Sequence, residues 1–260
     1  MKTKFLLLTG VAMALFLTAC KTDEPSNNNA SSVLPKKIVE TYSGSTQTRT
    51  MDFSYDGKKI KEILITPAYD ESKVKYTYSG NNITKIESFI GTDYAIWQTM
   101  EFTYQNDKVS SSTTKNSKGE VTYNYTYTYN SDNSVTVLTE PKIQGYTPYK
   151  SKYYFKDNNL VKQEFIDTKS DKVYSKNIYE YDLTKNSCTR NIYGIAYLFT
   201  GNLDGNVNSL TKRSDITISS STGAETSVDK TYTSEYNANG YPTKITETNL
   251  SRTKTQVITY

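Results

Sequence analysis

The chain has 260 residues, carries 31 lysines and arginines against 27 aspartates and glutamates, and contains no histidine. The formal net charge of +4 is close to balance and basic residues form no run, which argues against nucleic acid as a partner. The missing histidine excludes Ser-His-Asp and Cys-His catalysis and argues against a zinc site.

Residues 1–19 have the pattern of a signal peptide, with two early lysines and then the apolar run Phe5–Thr18. This run is shorter than the roughly 20 residues that a membrane-spanning helix needs. It ends in Leu17-Thr18-Ala19-Cys20, which resembles a bacterial lipobox. The resemblance implies cleavage between Ala19 and Cys20 and lipidation of Cys20, whose several acyl chains would anchor the protein stably in a membrane. An ordinary secretory signal with a chance cysteine is the alternative.

Residues 20–32 follow as a polar segment that contains a proline, and we expect a flexible tether. The charged residues directly after Cys20 resemble the acidic export signal of surface lipoproteins in the Bacteroidota. A plain solvated linker explains them equally well. The predicted location is the outer membrane, with a lipid anchor and with the cell surface favoured over the periplasmic face.

Residues 33–260 form one predicted domain built from an internal repeat. Each copy has two aromatic residues separated by one polar residue, then turn-forming residues, then an aliphatic residue. The second aromatic falls at positions 55, 78, 104, 129, 155 and 181, with spacings of 23, 26, 25, 26 and 26 residues. Alternation with period two predicts strands, and the Asp-Gly, Asn-Asp and Asn-Gly pairs predict hairpin turns.

The repeat therefore predicts an all-β fold: an antiparallel meander of about eight hairpins that forms a curved or spiral sheet, with no helix beyond the signal peptide. Two points stay open, namely whether the sheet closes and the register of the repeat between Asn186 and Ser234. In the stretch TYNYTYTYN, residues 122–130, we expect the four tyrosines to pack on one face of a strand.

The best copies of the repeat, Phe53–Ile63 and Glu235–Ile245, resemble the YD repeat of Rhs-type proteins. Together with the lipobox, the chain looks like the YD-repeat-like lipoproteins of the Bacteroidota, a largely uncharacterised group. The resemblance implies an architecture of successive hairpins, each of which buries its aromatic face against its neighbours.

Candidate sites are few, and neither a catalytic residue nor a cofactor is expected. Trp97 is the one tryptophan and could form a sugar-stacking platform with Tyr94, although a lone tryptophan in a strand is more often part of a core. Oxygen-bearing side chains alternate over residues 202–208, but a turn explains them better than a metal site. Cys188 has no partner for a disulfide once Cys20 is lipidated, and a small buried residue is the expectation.

The leading functional hypothesis is a lipid-anchored outer-membrane lipoprotein that acts as a non-enzymatic binding module for a protein or polysaccharide. The first alternative is a hydrolase such as a glycosidase, which needs two carboxylates about 5–10 Å apart and no histidine. The second is an integral outer-membrane β-barrel, favoured by the aromatic strands and the C-terminal Gln256–Tyr260. The mean hydropathy of −0.66 argues against that barrel.

Overall fold

The structure, a computed structural model, describes residues 33–67, 72–195 and 205–260, and it places sixteen strands and no helix within them. The strands are β1 Lys37–Tyr42, β2 Thr48–Asp56, β3 Lys59–Thr66, β4 Lys73–Ser79, β5 Asn82–Ile90, β6 Ala95–Gln105, β7 Lys108–Asn116, β8 Val121–Tyr129, β9 Val135–Pro141, β10 Tyr149–Lys156, β11 Asn159–Asp167, β12 Val173–Asn186, β13 Asn208–Ile218, β14 Glu225–Tyr236, β15 Pro242–Thr248 and β16 Thr253–Thr259. Within these ranges, no helix is long and apolar enough to cross a membrane.

Every strand pairs antiparallel with the next one in the chain, and β1 also pairs with β16, so the sheet closes into a barrel. The predicted all-β antiparallel meander without helix is confirmed for the described residues. The predicted curved or spiral sheet is wrong, and closure, which the sequence left undecided, is present. The reason lies in β1, where Ile38 is opposite Met51 on one side and Ile258 on the other, so that no edge strand is left unpaired.

The tight turns of the repeat all lie at one end of the barrel, which we call the turn end. Asn106 and Asp107 connect β6 to β7 with φ of 52° and 59°, as a two-residue turn with two left-handed positions requires. Asp157 and Asn158 repeat this arrangement between β10 and β11. The predicted turns are thus confirmed at these positions.

One face of the strands points into the barrel, because successive side chains alternate between the two sides of the wall. The apolar cluster lies on that inner face, and none of its members is more than 8% exposed. Its members are Ile60, Ile63, Ile65, Val74, Ile83, Ile86, Phe102, Val109, Tyr127, Val135, Val137, Ile192 and Ile195. The four tyrosines of residues 122–130 share this inner face, in agreement with their predicted packing.

The second aromatic of the repeat has a defined structural task, which we call the tyrosine clamp. In four copies of the repeat its hydroxyl donates to a backbone carbonyl of the preceding segment, so that neighbouring hairpins are joined across the inner wall. The exception with a hydroxyl is Tyr78, which accepts from the Ile60 N–H at 3.1 Å and donates to the carbonyl of Tyr193 in the plug. The clamps run from Tyr55 to Pro35 (2.8 Å), Tyr104 to Ile83 (2.7 Å), Tyr129 to Val109 (3.1 Å), Tyr181 to Leu160 (2.8 Å) and Tyr260 to Pro242 (2.9 Å). Phe155 occupies the same repeat position without a hydroxyl.

The outer face of the wall is polar and charged around much of its circumference. Ion pairs of 2.7–3.0 Å join neighbouring side chains there: Lys85–Glu87, Lys115–Glu101, Lys162–Glu164, Lys176–Glu225, Lys212–Asp229 and Lys244–Glu235. Threonine and asparagine fill the outward positions of β8, where Thr122, Asn124, Thr126 and Thr128 alternate with the inward tyrosines.

Residues 187–195 and 205–207, between β12 and β13, lie against the turn end, and we call them the plug. Ile192 and Ile195 are each 5% exposed because they pack into the apolar cluster of the barrel. Gly194 has φ +79°, and a Cβ at this position would lie 2.7 Å from the carbonyl oxygen of Asn81. The backbone of the plug therefore approaches the β4–β5 turn more closely than a side chain would permit.

Hydrogen bonds hold the plug on several sides of the barrel. The Tyr193 N–H donates to the carbonyl of Lys58 at 3.0 Å, on the β2–β3 turn. The N–H of Leu160, on β11, donates to the side-chain oxygen of Asn206 at 2.8 Å. A further bond, of 3.0 Å, runs from the Asn191 amide to the carbonyl of Val33. The plug thus covers the turn end, where the described chain also begins.

Candidate functional site

The barrel interior, or lumen, divides into two halves that differ in chemistry. The half near the turn end holds the apolar cluster and the tyrosine clamps and is covered by the plug. Burial there raises the pKa of Tyr104 to about 12, so the hydroxyl remains a hydrogen-bond donor at neutral pH. This half holds the apolar core of the barrel, whereas the inner wall of the other half carries charged and polar groups.

In the half away from the turn end, a charged cluster lies on the inner wall where β1 joins β2 and β16. Glu40 is 4% exposed, and its carboxylate accepts from the Gln256 amide at 2.7 Å and from Arg49 at 3.3 Å. Lys254 lies 3.9 Å from Glu40 and 3.3 Å from Glu247. Two acids thus balance two cations in this group, which we call the seam cluster.

A second charged group, the β13–β14 cluster, lies further along the same inner wall. Asp215 bridges Arg213 at 2.5 Å and Lys230 at 3.0 Å. The three side chains are between 25% and 34% exposed although they point inward, so water reaches them through the lumen. The guanidinium of Arg213 lies 5.7 Å from the centre of the Tyr179 ring.

The opposite inner wall of this half carries hydroxyl, amide and phenol groups. Cross-strand neighbours put Ser88 beside Gln98, and Thr114 beside Tyr123. The rings of Tyr123 and Tyr125 are stacked with centroids 6.2 Å apart. An interior with aromatic faces and a few placed polar groups is the usual composition of a ligand site in the mouth of a β-barrel.

A cavity of about 660 Å³ lies at the turn end instead, between Gly194 of the plug and the turns that connect β6–β7, β8–β9 and β10–β11. Its lining combines asparagine and aspartate of those turns with aromatic and aliphatic side chains of the inner wall, among them Tyr104, Tyr129 and Phe155. Several of the asparagine and aspartate residues in these turns have positive φ, which these two residue types tolerate. The turn geometry therefore explains their presence, and a ligand is not needed to explain it.

The two predicted stacking residues are both exposed and lie on either side of the start of β6, away from the turn end. Trp97 is 53% exposed, so the alternative that it belongs to a core is wrong. Tyr94 is 40% exposed, and the ammonium of Lys73 lies 3.9 Å from the centre of its ring. Their role in ligand stacking remains a prediction.

The other predicted positions contribute no site. Ala19 and Cys20 lie outside the described residues, so cleavage and lipidation remain predictions. Residues 202–204 of the candidate calcium loop also lie outside them, and Asn208 instead binds Asn159 at 2.9 Å. Among the described residues, no group of three or more acidic, cysteine or histidine side chains could hold a metal ion. Cys188 is partly exposed rather than buried.

Sequence reasoning missed both charged clusters. Arg213 and Asp215 are two residues apart on one strand, which period two places on one face. Nothing in the local sequence shows that this face is the inner one, because polar and charged residues occupy both faces of β13 and β14. Only the pairing of β12 to β14 with the rest of the barrel decides it.

The fold and the lumen define a closed antiparallel β-barrel, covered at its turn end and lined by charged and aromatic groups in its other half. No family model and no curated relative matches the chain. Among solved structures, the chain is similar to a porin-like protein from Bacteroides uniformis, at 13% sequence identity and a TM-score of 0.49. The match covers 86% of this chain and 96% of that one. A likeness at this level does not assign a function.

Proposed function

We propose that the chain is a lipid-anchored protein of the outer membrane whose barrel stands in water and binds a ligand in its lumen without catalysis. The charged outer face of the barrel carries this proposal. The wall of a membrane-embedded barrel alternates apolar residues outward with polar residues inward. Here the lysine and glutamate pairs point outward, and isoleucine, valine and phenylalanine point inward.

The cost of placing this outer face in lipid can be compared with the stability of a domain. A lysine facing lipid at the bilayer midplane costs about 2–4 kcal/mol. Five outward lysines lie on strands around the barrel, namely Lys85, Lys115, Lys162, Lys176 and Lys212. If all five lay at the midplane, their summed cost would be roughly 10–20 kcal/mol, which is an upper bound because the cost falls toward the interfaces. Even part of this sum is comparable with the net stability of about 5–15 kcal/mol of a typical protein. An aqueous surrounding removes this cost.

The described chain begins at the covered end of the barrel. Val33 lies beside the plug, and the N–H of Lys36 donates to the carbonyl of Thr259 at the same end. The charged half of the lumen is at the opposite end, away from this junction.

The absence of catalysis remains part of the proposal, and the lumen acids support it. Glu40, Asp215 and Glu247 are each paired with lysine or arginine. A glycosidase needs one carboxyl group whose pKa is raised by an apolar or acidic neighbourhood. Here each of the three carboxylates instead faces a lysine or an arginine.

The second candidate is an integral outer-membrane barrel, which is favoured by the closure of the sheet. Closure was expected under this alternative, whereas the leading hypothesis left it undecided whether the sheet closes. Sixteen strands also lie within the range of bacterial outer-membrane barrels, about 8 to 26. What separates the two candidates is the surrounding of the outer face, and this can be measured directly.

The test inserts a recognition sequence for a site-specific protease between Asn29 and Ala30 of the full-length chain. Membranes from a Gram-negative host are treated with the protease and then sedimented without detergent. We expect the barrel in the supernatant, with the circular dichroism of a β-protein, while the chain without the insertion stays in the pellet. A cleaved barrel that still sediments with the membrane would instead establish the integral barrel. The same protease added to intact cells tests surface display.

A further inference from the structure

The β13–β14 cluster differs from the seam cluster in its charge balance. In the seam cluster, Glu40 and Glu247 offset two cations. In the β13–β14 cluster, Arg213 and Lys230 share the single carboxylate of Asp215. One positive charge is therefore left over at a place that lumen water reaches. An anionic ligand would be attracted here rather than at the seam.

The side chains next to this cluster could contact the ring and hydroxyl groups of an anionic sugar. The ring of Tyr179 lies beside Arg213, and the hydroxyl of Tyr179 lies 3.5 Å from the side-chain oxygen of Gln163. Asn177 is 7% exposed, and in the amide orientation that satisfies both of its polar atoms its nitrogen donates to the Asp215 carboxylate at 3.0 Å. Amides form hydrogen bonds with hydroxyl groups, and phenol rings offer an apolar face with a polar end. Amide groups and a phenol ring therefore lie around one excess positive charge on the inner wall of the barrel.

We infer that the β13–β14 cluster binds a carboxylate-bearing saccharide that enters the lumen from the end opposite the plug. The planar guanidinium of Arg213 matches a carboxylate with two parallel hydrogen bonds, and Lys230 adds a second positive charge. Asp215 holds the two cations in place and competes with the ligand for them. The inference rests on the proposed function, because it requires a lumen that is open to the aqueous medium.

The test titrates the full-length lipoprotein, solubilised in a mild non-ionic detergent, with three probes by calorimetry. Trigalacturonate carries both the sugar rings and the carboxylates, maltotriose carries only the rings, and citrate carries only the carboxylates. We expect binding of trigalacturonate, with maltotriose and citrate each at least tenfold weaker. Equal binding of either control probe, or no binding of trigalacturonate, would overturn the inference.

Variants on and beside the cluster make the test specific. Arg213→Gln should weaken trigalacturonate binding at least tenfold. Asp215→Asn should strengthen it about threefold, because the competing carboxylate is gone while the shape is kept. The matched control is Lys212→Gln, which removes an equal charge from the residue directly before Arg213. Lys212 lies on the outer face, where it pairs with Asp229 at 2.9 Å. This variant should change affinity less than twofold.

Melting curves of each variant show whether the barrel remains folded. If Arg213→Gln lowers the melting temperature, Lys230→Gln replaces it, since it leaves Asp215 paired with Arg213. An Asp215→Asn variant that binds more weakly, or a Lys212→Gln variant that loses binding as Arg213→Gln does, contradicts the assignment of this cluster. Release of the barrel from membranes by tether cleavage is measured separately, so a failure here is distinct from a failure of the proposed function.

Discussion

Removing the hydroxyl of a tyrosine clamp should destabilise the barrel while leaving its apolar packing intact. Tyr104→Phe removes one hydrogen bond of 2.7 Å to the carbonyl of Ile83, and Tyr129→Phe removes one of 3.1 Å to the carbonyl of Val109. Ile83 is 0% exposed and Val109 is 3% exposed, so each carbonyl loses a donor that its own residue cannot replace by turning to bulk solvent. Every ring carbon remains in place in both variants.

The expected magnitude follows from these two facts. A typical hydrogen bond contributes about 0.5–1.5 kcal/mol, and a buried group left without its partner costs about 1–3 kcal/mol. The carbonyl keeps a second lone pair for other donors, which places each variant at about 1–2 kcal/mol. For a domain of this size the melting temperature should fall by roughly 2–8 °C.

Urea unfolding followed by circular dichroism measures the change, and the chain contains its own controls. Tyr154→Phe removes a hydroxyl from the outer face of β10, where it bonds Glu164 at 2.6 Å, and should cost about 0.5 kcal/mol or less. Phe155→Tyr adds a hydroxyl at the one repeat position between Tyr55 and Tyr181 that lacks one, and should gain about 0.5–1 kcal/mol. If both clamp variants stay within about 0.3 kcal/mol of wild type, the clamp has no energetic role.

Three further predictions concern the seam, the plug and the alkaline limit of stability. Glu40→Ala should lower the free energy of unfolding in urea by about 2–3 kcal/mol, because it leaves a cation of the closing seam unpaired. The exposed Glu235→Ala should lower it by less than about 0.5 kcal/mol, and equal losses would contradict the role of the seam cluster. Ile192→Ala should weaken the packing of the plug against the barrel by about 2–4 kcal/mol. Trypsin should then cleave within the plug faster, while the circular dichroism of the β-sheet stays unchanged. An unchanged cleavage rate would refute this prediction. Burial raises the pKa of Tyr104 and Tyr153 to about 12 from the ordinary 10.0, so the folded chain retains protons that the unfolded chain releases. Stability should be complete below pH 10 and fall as the pH rises through 12, in step with tyrosinate absorbance at 295 nm; an onset below pH 9 would point to other groups.

Local sequence determined the hairpins of this protein, because alternation and turn chemistry act over only a few residues. The paired aromatics specify which residues share a face, and the Asn106-Asp107 turn specifies a reversal of the chain. The equal spacing of the repeat extends this result to most of the strands. None of these signals depends on residues far away in the chain, so they could be interpreted without a structure.

Closure of the sheet, by contrast, was decided by the tertiary structure. It depends on the pairing of Ile38 with Ile258, two residues 220 positions apart in a chain whose repeat is compatible with both an open and a closed sheet. Closure in turn decides which face is inside, and hence that Arg213 and Asp215 line a lumen while Lys212 faces outward. The plug could not be predicted either, because its two isoleucines follow no repeat and are buried only against a turn end that the closed barrel creates. The sequence thus determined the hairpins through contacts of short range, and the accumulated twist and tilt of sixteen strands decided where the first meets the last.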